Sequence, residues 1–224
     1  IYGIEFGDSA VFKMMGHVLL NGGVPYVDYF DHKGPYLYLI NAIGEYISPT
    51  WGLFSLQILW NFLSFVLWFK IARLFIRPTI AFVVVSLTAI LYIGVYEYGN
   101  LTEEWSILPS SLCLFLALSY LINQHLEIHH YWRSFVYGLC FGWMFFIRPN
   151  DAVIQCGGVM TGIFLYICSK QNQYTNAFLN AVAFLLGFIL MATPWILYFA
   201  YHNSLEDFYF VLLGFNMNYS GGIV

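Results

Sequence analysis

Apolar residues run through this chain in blocks long enough to cross a lipid bilayer, and short polar segments punctuate them. The first block, 51–69, closes on Lys70, Arg73 and Arg77. Pro78 ends the helix it predicts, because proline lacks a backbone N–H and its ring collides with the preceding turn. Further blocks follow at 79–96, 107–122, 134–147, 152–168 and 177–201, the last interrupted by Pro194. Several reach about the 17–25 residues that a helix needs to traverse a hydrocarbon core. Inside lipid every backbone N–H and C=O has to be paired within its own segment, so the blocks predict helices. Barrel strands would alternate apolar and polar residues over short stretches, and no such alternation occurs.

Two shorter runs precede these blocks. Between Ala10 and Leu20, Val11, Met14, Met15, Val18 and Leu19 recur at helical spacing, with Lys13 and His17 breaking the run before Gly22 and Gly23 end it. Pro35 to Ile47 is apolar, but as a helix it reaches only about 20 Å, short of a core of roughly 30 Å. Both predict interfacial or re-entrant helices. The expected fold is therefore all-α: a polytopic transmembrane bundle of about six helices over 51–202. It follows an extracytoplasmic loop, 1–50, that carries the two short helices, and 203–224 begins another such loop. The chain opens at Ile1 on a segment too polar for a span or signal sequence, and it stops at Val224 in a Gly-rich stretch. We expect a fragment of a longer protein.

Composition sharpens the class. With 60% apolar, 21% aromatic and 9% charged residues and a mean hydropathy of +0.71, the chain departs far from soluble domains, in which roughly a quarter of residues are charged. The net charge of −4 matters less than where the charges lie. Five of the eight Lys and Arg (Lys70, Arg73, Arg77, Arg133 and Lys170) fall in segments that share one face of the bilayer. By the positive-inside rule that face is cytoplasmic. Eleven of the twelve acidic residues fall on the other side, with Glu127 the exception, and Lys13, Lys33 and Arg148 join them there. No Gly-rich loop follows a strand and no basic stripe exists, which argues against a soluble nucleotide-sugar domain and against nucleic-acid binding.

The outer segments carry four local signals. These are Gly7-Asp8-Ser9, the run Pro25-Tyr26-Val27-Asp28-Tyr29-Phe30-Asp31-His32-Lys33-Gly34-Pro35, Asn100-Leu101-Thr102-Glu103-Glu104-Trp105, and Arg148-Pro149-Asn150-Asp151. The arrangement of the first three resembles the C-type integral-membrane glycosyltransferases, in particular the bacterial relatives of protein O-mannosyltransferases and of the lipid A aminoarabinose transferase. The resemblance covers the whole chain in layout, on short motifs. It implies that Asp8 matches the acidic residue after the family's first span. It also implies that Phe30-Asp31-His32-Lys33-Gly34-Pro35 matches a Phe-acid-Lys-Pro-like, phosphate-contacting stretch, and that Glu103 or Glu104 matches a second acidic site. Two adjacent Glu stand where one acid is usual, and His32 separates Asp31 from Lys33.

The chemistry of such a transfer fits these residue types. A base must take the proton of an acceptor hydroxyl as it attacks the anomeric carbon, and a cation must meet the leaving lipid phosphate. Asp8 is the candidate base, with Glu103 and Glu104 as further catalytic candidates. Lys33 and Arg148, with Asp31 and His32 beside them, are the candidate substrate-binding residues, and arginine can engage two phosphate oxygens at once. Alternatively, the carboxylates, Asp8 and Glu104 foremost, hold a divalent metal, because hard cations favour oxygen ligands. Expected partners are a polyprenyl-phosphate sugar donor, a lipid, glycan or protein acceptor, and membrane lipids. The expected location is the bacterial cytoplasmic membrane with the site facing outward. A transporter or lipid flippase is the alternative, and a noncatalytic scaffold a third reading.

Each residue also has a simpler reading. Asp8 can cap the helix that follows it, Asp28 and Asp31 can be turn residues, Lys33 can snorkel at the interface, and Arg148 can anchor a helix end. Glu103 and Glu104 can serve as N-terminal acids of a helix, and Glu97 and Asp151 rank below them. His125 and His129 would share a helix face with metal-ligand spacing, but on the side opposite the acids. Cys113, Cys140, Cys156 and Cys168 fall inside spans and read as packing residues. The pairs Gly138/Gly142 and Gly158/Gly162 have the spacing that lets helices approach closely. Asn100 and Asn218 each begin a glycan-acceptor pattern, and the outer-loop aromatics read as an interfacial belt or a groove lining.

Overall fold

A computed structural model of the chain describes residues 7–95, 99–122, 128–169 and 174–215. Glu97, His125, Glu127, Lys170 and the pattern at Asn218 lie outside the described residues. Ten α-helices are described: α1 Asp8–Leu20, α2 Pro35–Ile47, α3 Gly52–Ala72, α4 Pro78–Val95, α5 Thr102–Ile122, α6 Tyr131–Phe145, α7 Pro149–Ala152, α8 Gly158–Ser169, α9 Tyr174–Tyr201 and α10 Leu205–Tyr209. A π-helical turn, Val153–Gly157, joins α7 to α8, and a second, Phe210–Phe215, follows α10. The described residues contain no strand, only an isolated bridge between Pro25 and Tyr29. The all-α expectation is met. The short α10 falls where only a loop was expected.

Among the described residues three helices, Gly52–Ala72, Thr102–Ile122 and Tyr174–Tyr201, are long and apolar enough to cross a membrane. The other three predicted spans are helical but shorter, α4 with 18 residues, α6 with 15 and α8 with 12. The surface fits a lipid solvent. On α3 only Gly52 and Ser64 are buried, while Phe54, Ile58, Leu59 and Phe62 lie open, and Leu185, Leu186, Ile189 and Leu190 do so on α9. Apolar surface on that scale is not tolerated against water.

The first two helices do more than lie on a surface. Phe12 and Met15 of α1 and Tyr36, Leu37, Tyr38 and Ile40 of α2 share one core with Phe146 and Ile147, with Trp195 and Phe199 of α9, and with Phe208 of α10. Met14 and Leu20 of α1, and Ile43, Tyr46 and Ile47 of α2, remain on the outside. The two helices approach closely because position 16 is glycine: a Cβ there would sit 2.6 Å from that of Asn41. A second core joins α5, α6 and α8 through Cys113, Tyr120, Tyr137, Cys140, Cys156, Ile163 and Ile167. All four cysteines are free thiols.

Helix α6 lies against α9 with almost no side chain between the backbones. A Cβ on Gly138 would meet the Phe184 carbonyl oxygen at 2.0 Å, and one on Gly187 the Phe135 oxygen at 2.2 Å, while Gly142 abuts Met191. The close-packing expectation fails for Gly158 and Gly162, which face open space. The proline inside α5 is put to use. Pro109 cannot donate to Trp105, four residues back, and that free carbonyl accepts from Trp143 Nε1 at 3.1 Å. On α9 the Met191 carbonyl takes the Tyr36 hydroxyl at 2.8 Å and ties α2 to the bundle.

Candidate functional site

The segment between α1 and α2 is fixed from three sides, and this carries Lys33 to the end of α6. Tyr26 adopts a left-handed backbone, with φ 73°, and its ring stacks on Phe199 with centroids 5.4 Å apart. Its hydroxyl donates to the Lys33 carbonyl at 2.7 Å. The Tyr38 hydroxyl, on α2, lies 2.9 Å from both that carbonyl and Asp31 Oδ2, so its single proton serves one at a time. Gly34 N–H donates to the Ile147 carbonyl at 2.8 Å, and Tyr36 N–H to the Phe146 carbonyl at 3.1 Å. A Cβ on Gly34 would fall 2.1 Å from the Phe146 oxygen, so only glycine lets the two backbones meet. Lys33 and Arg148 flank that contact in sequence, one on each strand of chain.

The two cations have different partners. Lys33 Nζ donates to His32 Nε2 at 2.7 Å, which requires a neutral imidazole with its proton on Nδ1. That nitrogen lies 3.4 Å from Asp31 Oδ1. Asp31, His32 and Lys33 thus form a carboxylate–imidazole–ammonium chain. Burial, then the neighbouring Lys33 charge, holds the His32 pKa below its usual value. Burial also depresses the Lys33 pKa, and Arg148 adds to this, while Asp31, Asp8 and Glu103 oppose it. Arg148 Nη1 pairs with Glu103 Oε1 at 2.5 Å and lies 3.8 Å from Asp151 Oδ1. Asp8, on the exposed first turn of α1, registers electrostatically on both His32 and Lys33. The resulting cluster sets two cations among the carboxylates of Asp8, Asp31, Glu103 and Asp151.

The adjacent glutamates part company. Glu103 faces the cations, at the first turn of α5. Glu104 points away and is 2% exposed. Its carboxylate accepts from Gln57 Nε2 at 3.0 Å, Asn61 Nδ2 at 2.7 Å and the Asn100 N–H at 2.6 Å, binding α3 to α5. This corrects its place among the catalytic candidates. It also removes the metal pair Asp8 and Glu104, since Glu104 is taken up by amides. Among the described residues no three His, Cys, Asp or Glu side chains gather to hold a metal ion.

Other simple readings are settled by contacts. Asp8 makes no capping hydrogen bond to α1, whose N-cap is Gly7. Asp28 is a turn residue, accepting from the Val24 N–H at 2.6 Å. Asn100 is no glycan acceptor: it is 1% exposed, with φ 59°, and its side chain bonds Ser9, Asn41 and Trp105. His129 is buried, 2.7 Å from Asn180 Oδ1, and clamps the loop before α6 to α9.

Asp151 is the residue that sequence reasoning ranked too low. It is 8% exposed, and its Oδ2 has no hydrogen-bond partner. Burial raises its carboxyl pKa, Arg148 and Lys33 lower it, and Glu103 raises it. Its position three residues after Arg148, at the turn where the chain re-enters an apolar helix, was the available signal. Compared with known proteins, the chain matches no family model, no curated protein and no solved structure.

Proposed function

We propose that the chain is the donor-binding part of a membrane glycosyltransferase. It would move a sugar from a polyprenyl-phosphate donor to a hydroxyl acceptor at the outer face of the bacterial cytoplasmic membrane. One observation carries the reading. Lys33 and Arg148, 115 positions apart, meet through the Gly34–Ile147 backbone contact, ringed by carboxylates and beside helices suited to lipid. A phosphate on an apolar tail needs that combination of fixed cations and lipid access.

In the proposed step, Asp8 accepts the proton of the acceptor hydroxyl while its oxygen bonds to the anomeric carbon. The carbon–oxygen bond to phosphate breaks from the opposite face, and the electron pair stays on the phosphate oxygen. Configuration at the anomeric carbon inverts. Lys33 and Arg148 meet the developing phosphate charge in a site whose low dielectric strengthens the attraction. Glu103 and the Asp31–His32 pair orient the two cations. A transporter would place its ionisable groups near the middle of the spans. The charges of this site instead sit at helix ends and in loops, which favours surface chemistry.

The test is transfer by the purified protein from a panel of polyprenyl-phosphate sugars and, separately, nucleotide sugars, with and without chelator. Product from the lipid-linked donors is expected. Product from nucleotide sugars alone would overturn the donor class.

A further inference from the structure

With every carboxyl ionised, the cation cluster would carry a surplus of negative charge. Asp8, Asp31, Glu103 and Asp151 set four carboxylates against two cations, Lys33 and Arg148. A phosphodiester brings a further negative charge, so its binding favours a neutral carboxyl in the cluster. Three of the four have support for their charge. Glu103 is paired with Arg148 and accepts from Thr102 Oγ1 at 2.9 Å. Asp31 accepts from the His32 N–H at 2.7 Å and has the Tyr38 hydroxyl 2.9 Å away. Asp8 stands on the exposed first turn of α1, where water supports its charge.

Asp151 has none of these supports. Its Oδ2 is enclosed with no hydrogen-bond partner among the described residues, and its Oδ1 stands 3.8 Å from Arg148 Nη1, beyond hydrogen-bond length. An enclosed carboxylate with an unmet oxygen is costly, and a neutral acid avoids most of that cost. With the proton on Oδ1, the enclosed Oδ2 is the carbonyl oxygen, and the O–H stands beside the guanidinium that would meet the phosphate. The charged groups around it are Arg148 at the end of α6, Glu103 on α5 and Lys33 before α2. His32, Asp31 and Asp8 act on Lys33 in turn. The π turn that follows brings one titratable group, the buried Cys156 thiol.

We propose that Asp151 is a phosphate contact of the donor site: as a neutral carboxylic acid it donates its Oδ1 proton to a phosphate oxygen held by Arg148. This rests on the phosphate role given above to Lys33 and Arg148. Affinity for the diester is then full below the pH at which the free site's Asp151 ionises, and falls above it by at most about tenfold per pH unit. Burial places that pH above the ordinary carboxyl value. Binding also draws a proton from solution, because the added anion makes the acid harder to ionise.

The probe is geranyl methyl phosphate, an isoprenoid diester with one negative charge. It is titrated calorimetrically into the detergent-solubilised protein from about pH 5 to 8, in buffers of different protonation heat. Wild type should take up protons as it binds. Lys33 and His32 titrate too, so each variant is compared with wild type over the whole range. Asp151→Asn keeps a donor that cannot ionise. It should match wild type at the acidic end, bind more tightly than wild type at the alkaline end, and take up fewer protons. Asp151→Ala should bind about tenfold more weakly at the acidic end. Binding without proton uptake by wild type, an Asp151→Asn profile parallel to that of wild type, or no loss in Asp151→Ala would overturn the contact. The expected signature without transfer from any lipid-linked donor would support the contact and remove the transferase. Transfer undiminished in Asp151→Ala would overturn the contact and leave the transferase standing.

Discussion

At the scale of single residues, Glu103 and Glu104 make the sharpest contrast. The sequence could not rank them, because adjacent residues on a helix point about 100° apart and the direction depends on the phase of a helix start that propensities do not fix. Glu104→Ala should lower stability by about 2–4 kcal/mol, since it strands Gln57, Asn61 and the Asn100 N–H in a buried interface. Glu103→Gln should leave unfolding almost unchanged, because a partly exposed ion pair is worth about 0–1 kcal/mol. Its cost should fall on turnover, through a loosened Arg148. Thermal unfolding in detergent alongside a transfer assay separates the two.

The neutral His32 sets a pH limit. Its folded pKa lies below the unfolded one, so between the two the unfolded chain binds more protons. The stability it supports is complete above the unfolded value, roughly 6.5, and is lost as pH falls through the folded value. Protonated imidazole also cannot accept from Lys33, so donor binding should weaken over that same acidic range. His32→Gln keeps an acceptor that does not titrate, and its donor-affinity profile should lack the acidic limb. An unchanged limb would mean that another group controls it.

At the scale of elements, much was legible. The bounds of α2 follow from Pro35 and the apolar run to Ile47, and α1 from the spacing of Val11, Met15 and Val18. What those helices pack against was not legible, because a short amphipathic helix reads the same whether its apolar face meets lipid or the aromatic core around Phe199. Glycine spacing was equally ambiguous. Gly138 sits at a backbone contact and Gly142 against the Met191 side chain, whereas Gly158 and Gly162 face open space, although both pairs have the same period. Gly138→Leu should therefore destabilise by about 1–3 kcal/mol or more through overpacking. Gly162→Ala should be neutral or stabilising by up to about 1 kcal/mol, from helix propensity alone. Melting temperatures of the two variants check this.

Gly34 links element to site. Gly34→Ala forces its segment away from Phe146, and Lys33 moves with it. Transfer should fall by about 10²-fold, the scale of a misplacement near 1 Å. A Gly34→Ala enzyme with wild-type turnover would detach the backbone contact from function.

At the scale of the molecule, the charge pattern predicts an acidic and a basic side, and Asp8, Asp31, Glu103 and Asp151 all come from segments assigned to the acidic one. The convergence of Lys33 and Arg148 was not readable, because it depends on a backbone pairing between a loop and a helix end far apart in sequence. Nor was the burial of Asp151, which sits in a four-residue helix before a π turn and carries no periodicity of its own. The account makes Asp8 the base of a transfer in which Lys33 and Arg148 hold phosphate. The most direct measurement is kcat/KM for a polyprenyl-phosphate sugar in Asp8→Asn protein whose unfolding matches wild type. A fall of about 10²–10⁴-fold is predicted, the usual worth of a general base. Turnover within twofold of wild type would contradict it.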